Sequence, residues 1–324
     1  MSSVHVWNGL DEVPADLGAT VATLGNFDGV HRGHRAVLAR LTERAATAGL
    51  PSIAVTFDPH PIAVLYPERA PSALTSLDQR LDLLADTGLD AVLVLEFTRA
   101  FASQTPEEFV DSVFVGALHA RAIVVGADTR FGVRNSGSVQ TLIDLGKTRG
   151  FEVTSIADVG EGERWSSTGV RAALVAGDIE TAARMLGRLP RVAGLVVHGD
   201  HRGRLLGFPT ANLGGRIEGQ VPADGVYAGW LTRLDLPLDA TDRVLPTAIS
   251  IGTNPTFDGV DRRVEGYVID RHDLDLYGER IAFDLVTRLR ETLRFEGIEP
   301  LVVQMHADVV RCREVLGVLG VPQP

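Results

Sequence analysis

The chain has 324 residues, 45 % apolar and 23 % charged, with a formal net charge of −11. This composition suits a globular protein of two domains, and the acidic balance argues against a nucleic-acid partner, which needs a basic face. No apolar run reaches membrane-spanning length, no leader opens the chain, and Cys312 is the only cysteine, so the expectation is a cytoplasmic protein acting on small molecules, with no membrane role and no disulfide.

Taken in chain order, the first strand is predicted at Val21–Leu24. The turn Gly25-Asn-Phe-Asp-Gly-Val-His-Arg-Gly-His34 follows, and helical spacing then runs over Arg35–Ala48, with the helix opening on His34. Backbone N–H groups at such a helix start attract an anion, and His31 and His34 place two imidazoles beside it. A metal is the competing use of these imidazoles, but no third ligand stands nearby in the sequence and zinc usually needs three from the protein. Further strands are predicted at Ile53–Phe57, Ala91–Leu95, Ile123–Val125 and Val153–Ile156. Helices are predicted between them, including Leu77–Asp86 and Pro106–Leu118; the second is announced by a capping box, Thr105 with Glu108. This alternation predicts a parallel sheet covered on both faces, with ligands at the carboxyl ends of the strands.

Three patches fall near such ends or at a helix start. Phe57-Asp-Pro-His-Pro61 is a stiff turn. Gly126-Ala-Asp-Thr-Arg-Phe-Gly132, taken alone, reads more readily as a surface turn than as a ligand loop, with Asp128 able to accept from a sugar hydroxyl or an adenine amine. Trp165-Ser-Ser-Thr-Gly-Val-Arg171 offers hydroxyls at Ser167 and Thr168 that suit an N-cap or, with Arg171, a triphosphate. Lysine is nearly absent: Lys147 alone stands against thirty arginines. The triplet Gly146-Lys-Thr148 imitates the end of a P-loop, but it lacks the earlier glycine and comes late in a helical pattern, so it is rejected.

Short helical segments at Val170–Ala176 and Ile179–Leu186 lead to a break at Gly187–Arg191, which sets the expected domains at 1–187 and 188–324. These carry −8 and −3, neither basic enough for a polyanion. Beyond the break, strand-like runs at Val192–Val197, Val226–Leu231, Leu245–Ile251, Val264–Ile269 and Ile281–Leu289 precede one helical pattern, Glu299–Leu316. They predict an antiparallel β-barrel with a terminal helix. Within it, Gly207-Phe-Pro-Thr-Ala-Asn212 follows the glycine- and arginine-rich Gly199–Arg204. Thr210 and Asn212 alternate on an extended segment and so face one side, where their oxygens suit Mg²⁺ together with ATP phosphates.

Gly25–His34 resembles the opening motif of prokaryotic bifunctional FAD synthetases, which carry riboflavin kinase and FMN adenylyltransferase on one chain. The later Gly207–Asn212, Gly225–Ala228, Ile251–Phe257 and Asp275–Gly278 resemble riboflavin kinase segments in the family's order, so the resemblance spans about residues 20 to 316. It implies a Rossmann-like nucleotidyltransferase domain with a parallel sheet, followed by an antiparallel β-barrel riboflavin kinase domain. It implies phosphorylation of riboflavin to FMN in the second and adenylylation of FMN to FAD, with release of pyrophosphate, in the first, using ATP and Mg²⁺. Catalysis would then fall to His31, His34 and Glu265. ATP and its phosphates would fall to Gly25, Asn26, Asp128, Ser167, Thr168, Arg171, Gly207 and Thr210. The flavin would fall to Pro59, Pro61, Phe131 and Arg294, and the metal to Thr210 and Asn212. Two positions depart from the family's pattern: Thr129 stands where a phenylalanine is usual, and Gly266 where a larger residue is expected. The competing readings are a nucleotidyltransferase for another phosphorylated substrate, which a substrate panel separates, and a flavin-binding regulator, which would turn over no ATP. The sequence leaves the oligomeric state open.

Overall fold

A computed structural model describes residues 4–161, 163–199, 203, 206–256 and 259–318. The chain divides into two compact units, Met1–Ser167 and Thr168–Pro324.

The first unit is built on a six-stranded parallel sheet. Its strands are β1 (His5–Asn8), β2 (Thr20–Leu24), β3 (Ser52–Asp58), β4 (Ala91–Glu96), β5 (Ala120–Gly126) and β6 (Glu152–Ile156), in the spatial order β1-β4-β3-β2-β5-β6. Strand side chains alternate between faces, so neighbours in β2 serve different cores. Val21 joins Leu38, Leu41 and Val124 on one side, while Ala22 joins Ile53, Phe114 and Leu142 on the other. Helices α1 (Arg32–Ala48) and α2 (Leu77–Ala85) supply the first core, and α3 (Val139–Arg149) supplies the second. Strand order reverses at β2, which has β3 on one side and β5 on the other, and such a switch point is where open parallel sheets bind ligands.

The structure differs from the sequence reading in three places. Helix α1 begins at Arg32, a turn earlier than expected, because the His31 side chain caps it. The Pro106 helix keeps its capping box but widens after Phe109 into a π-type turn, Val110–Ala117. The edge strand β1 has no counterpart in the predicted set. The P-loop imitation at Gly146 lies inside α3, as its place in the helical pattern required.

The second unit is a closed barrel of six antiparallel strands. These are β7 (Arg191–Val197), β8 (Thr210–Glu218), β9 (Gly225–Arg233), β10 (Val244–Thr256), β11 (Gly259–Val268) and β12 (Arg280–Arg290), in the cyclic order β7-β8-β11-β10-β9-β12. Helices α4 (Ser167–Ala176) and α5 (Ile179–Leu186) precede it, and α5 ends at Gly187 in the left-handed region, φ 72°. The Ala223 N–H donates to the Leu174 carbonyl at 3.0 Å, tying α4 to the β8–β9 connection. The terminal helix α6 (Ile298–Leu316) covers one side, where Val309 and Cys312 pack on Phe208, Ala228 and Tyr267. Burial pushes the Cys312 thiol up to about 12, so it acts as an apolar filler. Among the described residues no helix is long and apolar enough to cross a membrane.

Candidate active sites

The Gly25–His34 turn leaves the carboxyl end of β2 under evident constraint. Phe27, Gly29 and Val30 all adopt positive φ, at 48°, 79° and 37°. For Phe27 and Val30 that conformation costs roughly 1–3 kcal/mol each and persists only where surroundings enforce it. Here the enforcement is burial: both side chains sit in the core beneath α1. The buried Asp28 carboxylate accepts from the backbone N–H groups of Leu74 (3.0 Å) and Thr75 (3.2 Å). Gly29 N–H donates to Thr75 Oγ1 at 3.2 Å, and Ser167 Oγ donates to the Asp28 carbonyl at 2.8 Å. The turn is therefore pinned from both flanks before any ligand arrives.

Its two histidines form one unit at the start of α1. His31 Nδ1 accepts from the His34 N–H at 3.3 Å, and the rings stack at 3.7 Å with 21° between planes. Phe27 meets His34 edge-on at 5.3 Å. Gly33 eases the packing here, since a Cβ would lie 3.0 Å from both the His31 ring and the Trp165 carbonyl, tighter than ordinary contact. The His34 pKa is held well below the ordinary value, chiefly by burial and then by His31 and Arg164. Among the described residues the buried His34 Nδ1 has no hydrogen-bond partner. A neutral imidazole carries one N–H donor and one acceptor nitrogen and no charge.

Two more predicted turns leave neighbouring strand ends. After β3, His60 caps a short helix, Pro61–Leu65, its Nδ1 accepting from Ile62 N–H at 3.2 Å; Pro59 is exposed and Pro61 half-buried. After β5 comes Gly126, then the exposed Asp128, whose carboxylate pairs with Arg164; Arg164 also reaches Asp158 at 3.3 Å. Phe131 is placed differently from a ligand-facing ring. It is buried in the core, 5.7 Å from Phe109 in a row of aromatic rings that continues through Phe101 to Phe57. The structure thus brings Gly25, Asn26, His31, His34 and Ser167 together and sets the Pro59–Pro61 and Asp128 turns at the adjoining strand ends. Thr168, exposed, and Arg171, half-buried, lie beyond the division of the chain, on the part of α4 counted with the second unit.

Sequence reasoning missed Arg80. It is 5 % exposed in the apolar face of α2, beside Leu77, Leu81 and Leu84. A cation at a core position of a helix is the signal that would have marked it.

In the second unit a cavity of about 710 Å³ opens between β8, β10 and β11, lined among others by Thr210, Asn212, Arg263, Glu265, Arg271 and Asp273. Its geometry follows from strand register. Asn212 stands opposite Glu265, and Glu265 opposite Ser250. Directly opposed residues share a face, so amide and carboxylate meet on one wall. The Asn212 amide donates to Thr210 Oγ1 at 3.3 Å. Gly199 lies close beneath, where a Cβ would come within 2.8 Å of the Asn212 side chain. Gly266 is buried, and a Cβ there would enter the Phe283 ring and sit 2.9 Å from Thr247 Cγ2, so Phe283 fills the space that a larger residue at 266 would take.

Arg271 escaped notice in the sequence. Its guanidinium spans Asp242 (2.9 Å) and Asp273 (2.7 Å), which raises its own pKa and lowers the Asp273 carboxyl to about 2. Gly207 takes φ 85° at the turn into β8. Arg294 is exposed in the β12–α6 connection and is not among the cavity-lining residues, although Thr292 is. Asp200, His201, Arg202 and Arg204 of the Gly199–Arg204 turn, and Phe257, lie outside the described residues. Among the described residues no cluster of three or more His, Cys, Asp or Glu could hold a metal.

The FAD synthetase family model matches residues 13–169, and the riboflavin kinase family model matches residues 186–316. A bifunctional riboflavin kinase/FMN adenylyltransferase of Escherichia coli K12 is 37 % identical, over 98 % of both chains. One from Pseudomonas fluorescens is 39 % identical over 94 % of this chain and 96 % of its own. Another from Bacillus subtilis is 32 % identical over 95 % and 96 %. A crystal structure described as a macrolide-efflux protein from Streptococcus pneumoniae superposes with a TM-score of 0.84 at 29 % identity, covering 96 % of this chain and 99 % of that one. With a parallel-sheet unit and a barrel unit each matched by its own enzyme family, and relatives matched almost end to end, the chain belongs to the family of bifunctional riboflavin kinase/FMN adenylyltransferases.

Proposed function

We propose that this bifunctional riboflavin kinase and FMN adenylyltransferase divides its chemistry as follows. In the first unit the FMN phosphate attacks the α-phosphorus of ATP, forming FAD and expelling pyrophosphate. His31, His34 and the α1 N–H groups stabilise charge growing on the phosphate oxygens. Gly25 and Asn26 let the backbone approach the nucleotide, Asp128 accepts from it, and Ser167, Thr168 and Arg171 are assigned to the triphosphate. Pro59 and Pro61 are assigned to the flavin side.

In the second unit Glu265 takes the proton of the riboflavin 5′-hydroxyl as that oxygen attacks the γ-phosphorus, a contribution typically worth about 10²- to 10⁴-fold. Gly207 and Thr210 approach the phosphates, and Arg294 is assigned to the ring system. The neutral oxygens of Thr210 and Asn212 fit Mg²⁺, a hard cation that also takes phosphate and water ligands; Mg²⁺ would neutralise the ATP phosphates. A catalytic boundary at 187/188 is supported by the kinase family match, which begins at residue 186, while compactness counts α4 and α5 with the barrel. A cytoplasmic enzyme of small-molecule substrates fits the single buried cysteine.

The observation that carries this reading is the pairing of Asn212 with Glu265 on one cavity wall, in a chain whose other unit stacks His31 on His34 at a helix start. The test is riboflavin, ATP and Mg²⁺ with separation of FMN and FAD. Glu265→Gln should stop FMN formation yet still convert supplied FMN to FAD, and His34→Ala should do the reverse. Near-normal turnover of the targeted step in either variant removes that residue from its role.

A further inference from the structure

An arginine on the apolar face of a helix must recover its lost hydration, since burying an uncompensated charge is costly. Arg80 does so through its two Nη groups, mostly on backbone, while its Nε is buried with no partner among the described residues. Nη1 donates to the Asn26 carbonyl at 2.9 Å and Nη2 to the Phe57 carbonyl at 3.0 Å, with Asp58 Oδ1 at 3.5 Å. Asn26 belongs to the His31/His34 turn after β2, and Phe57 to the end of β3, immediately before Pro59–Pro61. The same fork therefore holds two strand-end turns that receive different substrates in the proposed reaction. The Asn26 carbonyl also accepts from Thr56 Oγ1 at 3.2 Å. Asp28 grips Leu74 and Thr75 just before α2 begins, so the segment 74–80 embraces the histidine turn at two points.

We infer that Arg80 is a positioning residue for adenylyl transfer: its planar fork fixes the gap between the histidine turn, which holds the ATP phosphates, and the Pro59–Pro61 turn, which borders the flavin. This rests on the reading of the first unit given above. A lysine cannot reproduce it, because one ammonium lacks the rigid pair of donors. Burial lowers the Arg80 pKa, and the nearby Asp58 and Asp28 carboxylates partly offset it.

The experiment uses the full chain with Arg80→Met and Arg80→Lys, measuring kcat and KM for FMN and ATP in FAD formation. Riboflavin phosphorylation and a thermal melt are recorded on the same samples. A misplacement of about 1 Å costs up to roughly 10²-fold in rate, so R80M should lose about ten- to a hundredfold in kcat, with KM within about threefold, at temperatures where the chain remains folded. R80K should recover only part of the loss, and FMN formation should be unchanged in both. A kcat per folded molecule within about twofold of wild type in R80M overturns the inference, as does a parallel fall of both activities. Should R80M fail to fold, R80K decides alone: wild-type kcat with a single ammonium overturns it. Full FAD formation by His31→Ala and His34→Ala would instead remove the underlying reading of the turn, a separate result.

Discussion

Asp308→Ala should unfold the kinase unit well below the temperature at which the wild type melts. Asp308 is 7 % exposed on α6 and receives both Nε (2.9 Å) and Nη2 (2.7 Å) of Arg290 at the end of β12. Gln304 adds a third bond to the same carboxylate at 2.9 Å. Removing one partner of a buried pair typically costs about 3–5 kcal/mol, because the other charge stays buried. The Arg290 side chain keeps 19 % of its surface exposed, which favours the low end, about 3 kcal/mol. For a unit of roughly 150 residues each kcal/mol moves Tm by about 2–4 °C, giving a fall of about 6–12 °C. Calorimetry should show it, and riboflavin phosphorylation should decay faster on heating while FAD formation from FMN survives. Arg290→Met with Asp308→Leu should regain most of the loss, since an apolar pair replaces a buried ionic one at little cost. A Tm within about 2 °C of wild type for Asp308→Ala would refute the reasoning.

Gly266→Val should destabilise the barrel by about 1–3 kcal/mol through overpacking against Phe283, with Phe283→Leu relieving part of it; chemical denaturation monitored by kinase activity measures both, and an unshifted midpoint disproves the steric account. His34 should give the first unit a pH-dependent stability. Its native pKa lies below the unfolded value of about 6.5, so between those values the unfolded chain binds the extra proton. The contribution is present above about pH 6.5 and is lost as pH falls below it. His34→Asn should flatten the melting temperature of that unit across this window, and an unchanged pH slope would show that another group is responsible.

What the sequence disclosed about the fold was governed by burial. Strands β2 to β5 are covered on both faces, so they read as continuous apolar runs that admit no other interpretation. Strand β1 is short and half-exposed, and its His-Val-Trp-Asn sequence carries no such run. Strand β8 was recognisable only at Thr210–Asn212, because Gly214 and Gly215 interrupt the alternation that marks a strand. The start of α1 was misjudged for a chemical reason: an imidazole serves as N-cap at His31, outside the usual Ser, Thr, Asp and Asn.

The sites divide in the same manner. Motif residues such as His31, Thr210 and Glu265 stand out because their chemistry is unusual at those spacings. Arg80 and Asp28 do not, because their partners are backbone groups 23 to 54 residues away, to which any side chain could belong. Arg271 was hidden likewise, its meaning resting on Asp242 across the barrel connections.

A net charge of −11 is at odds with the proposal that both sites receive ATP, and the two units meet the difficulty differently. In the first, α1 carries no acidic residue in its opening turn, Arg32 lies 4.0 Å over the Trp165 ring beside it, and the nearby Asp28 carboxylate is turned inward onto Leu74 and Thr75. Helix N–H groups and imidazoles at this end of α1 suit a polyphosphate, and the nearby Glu161 carboxylate lies 3.7 Å from Arg32. In the second, Glu265, Asp273 and Asp275 line the cavity, while the charge of Arg271 is already matched by Asp242 and Asp273. Arg263 lines the same cavity, so the three carboxylates face two guanidinium groups there. Under the proposed assignment, a divalent cation held by the uncharged oxygens of Thr210 and Asn212 would offset the phosphate charge beside these carboxylates without adding a further anion to the wall.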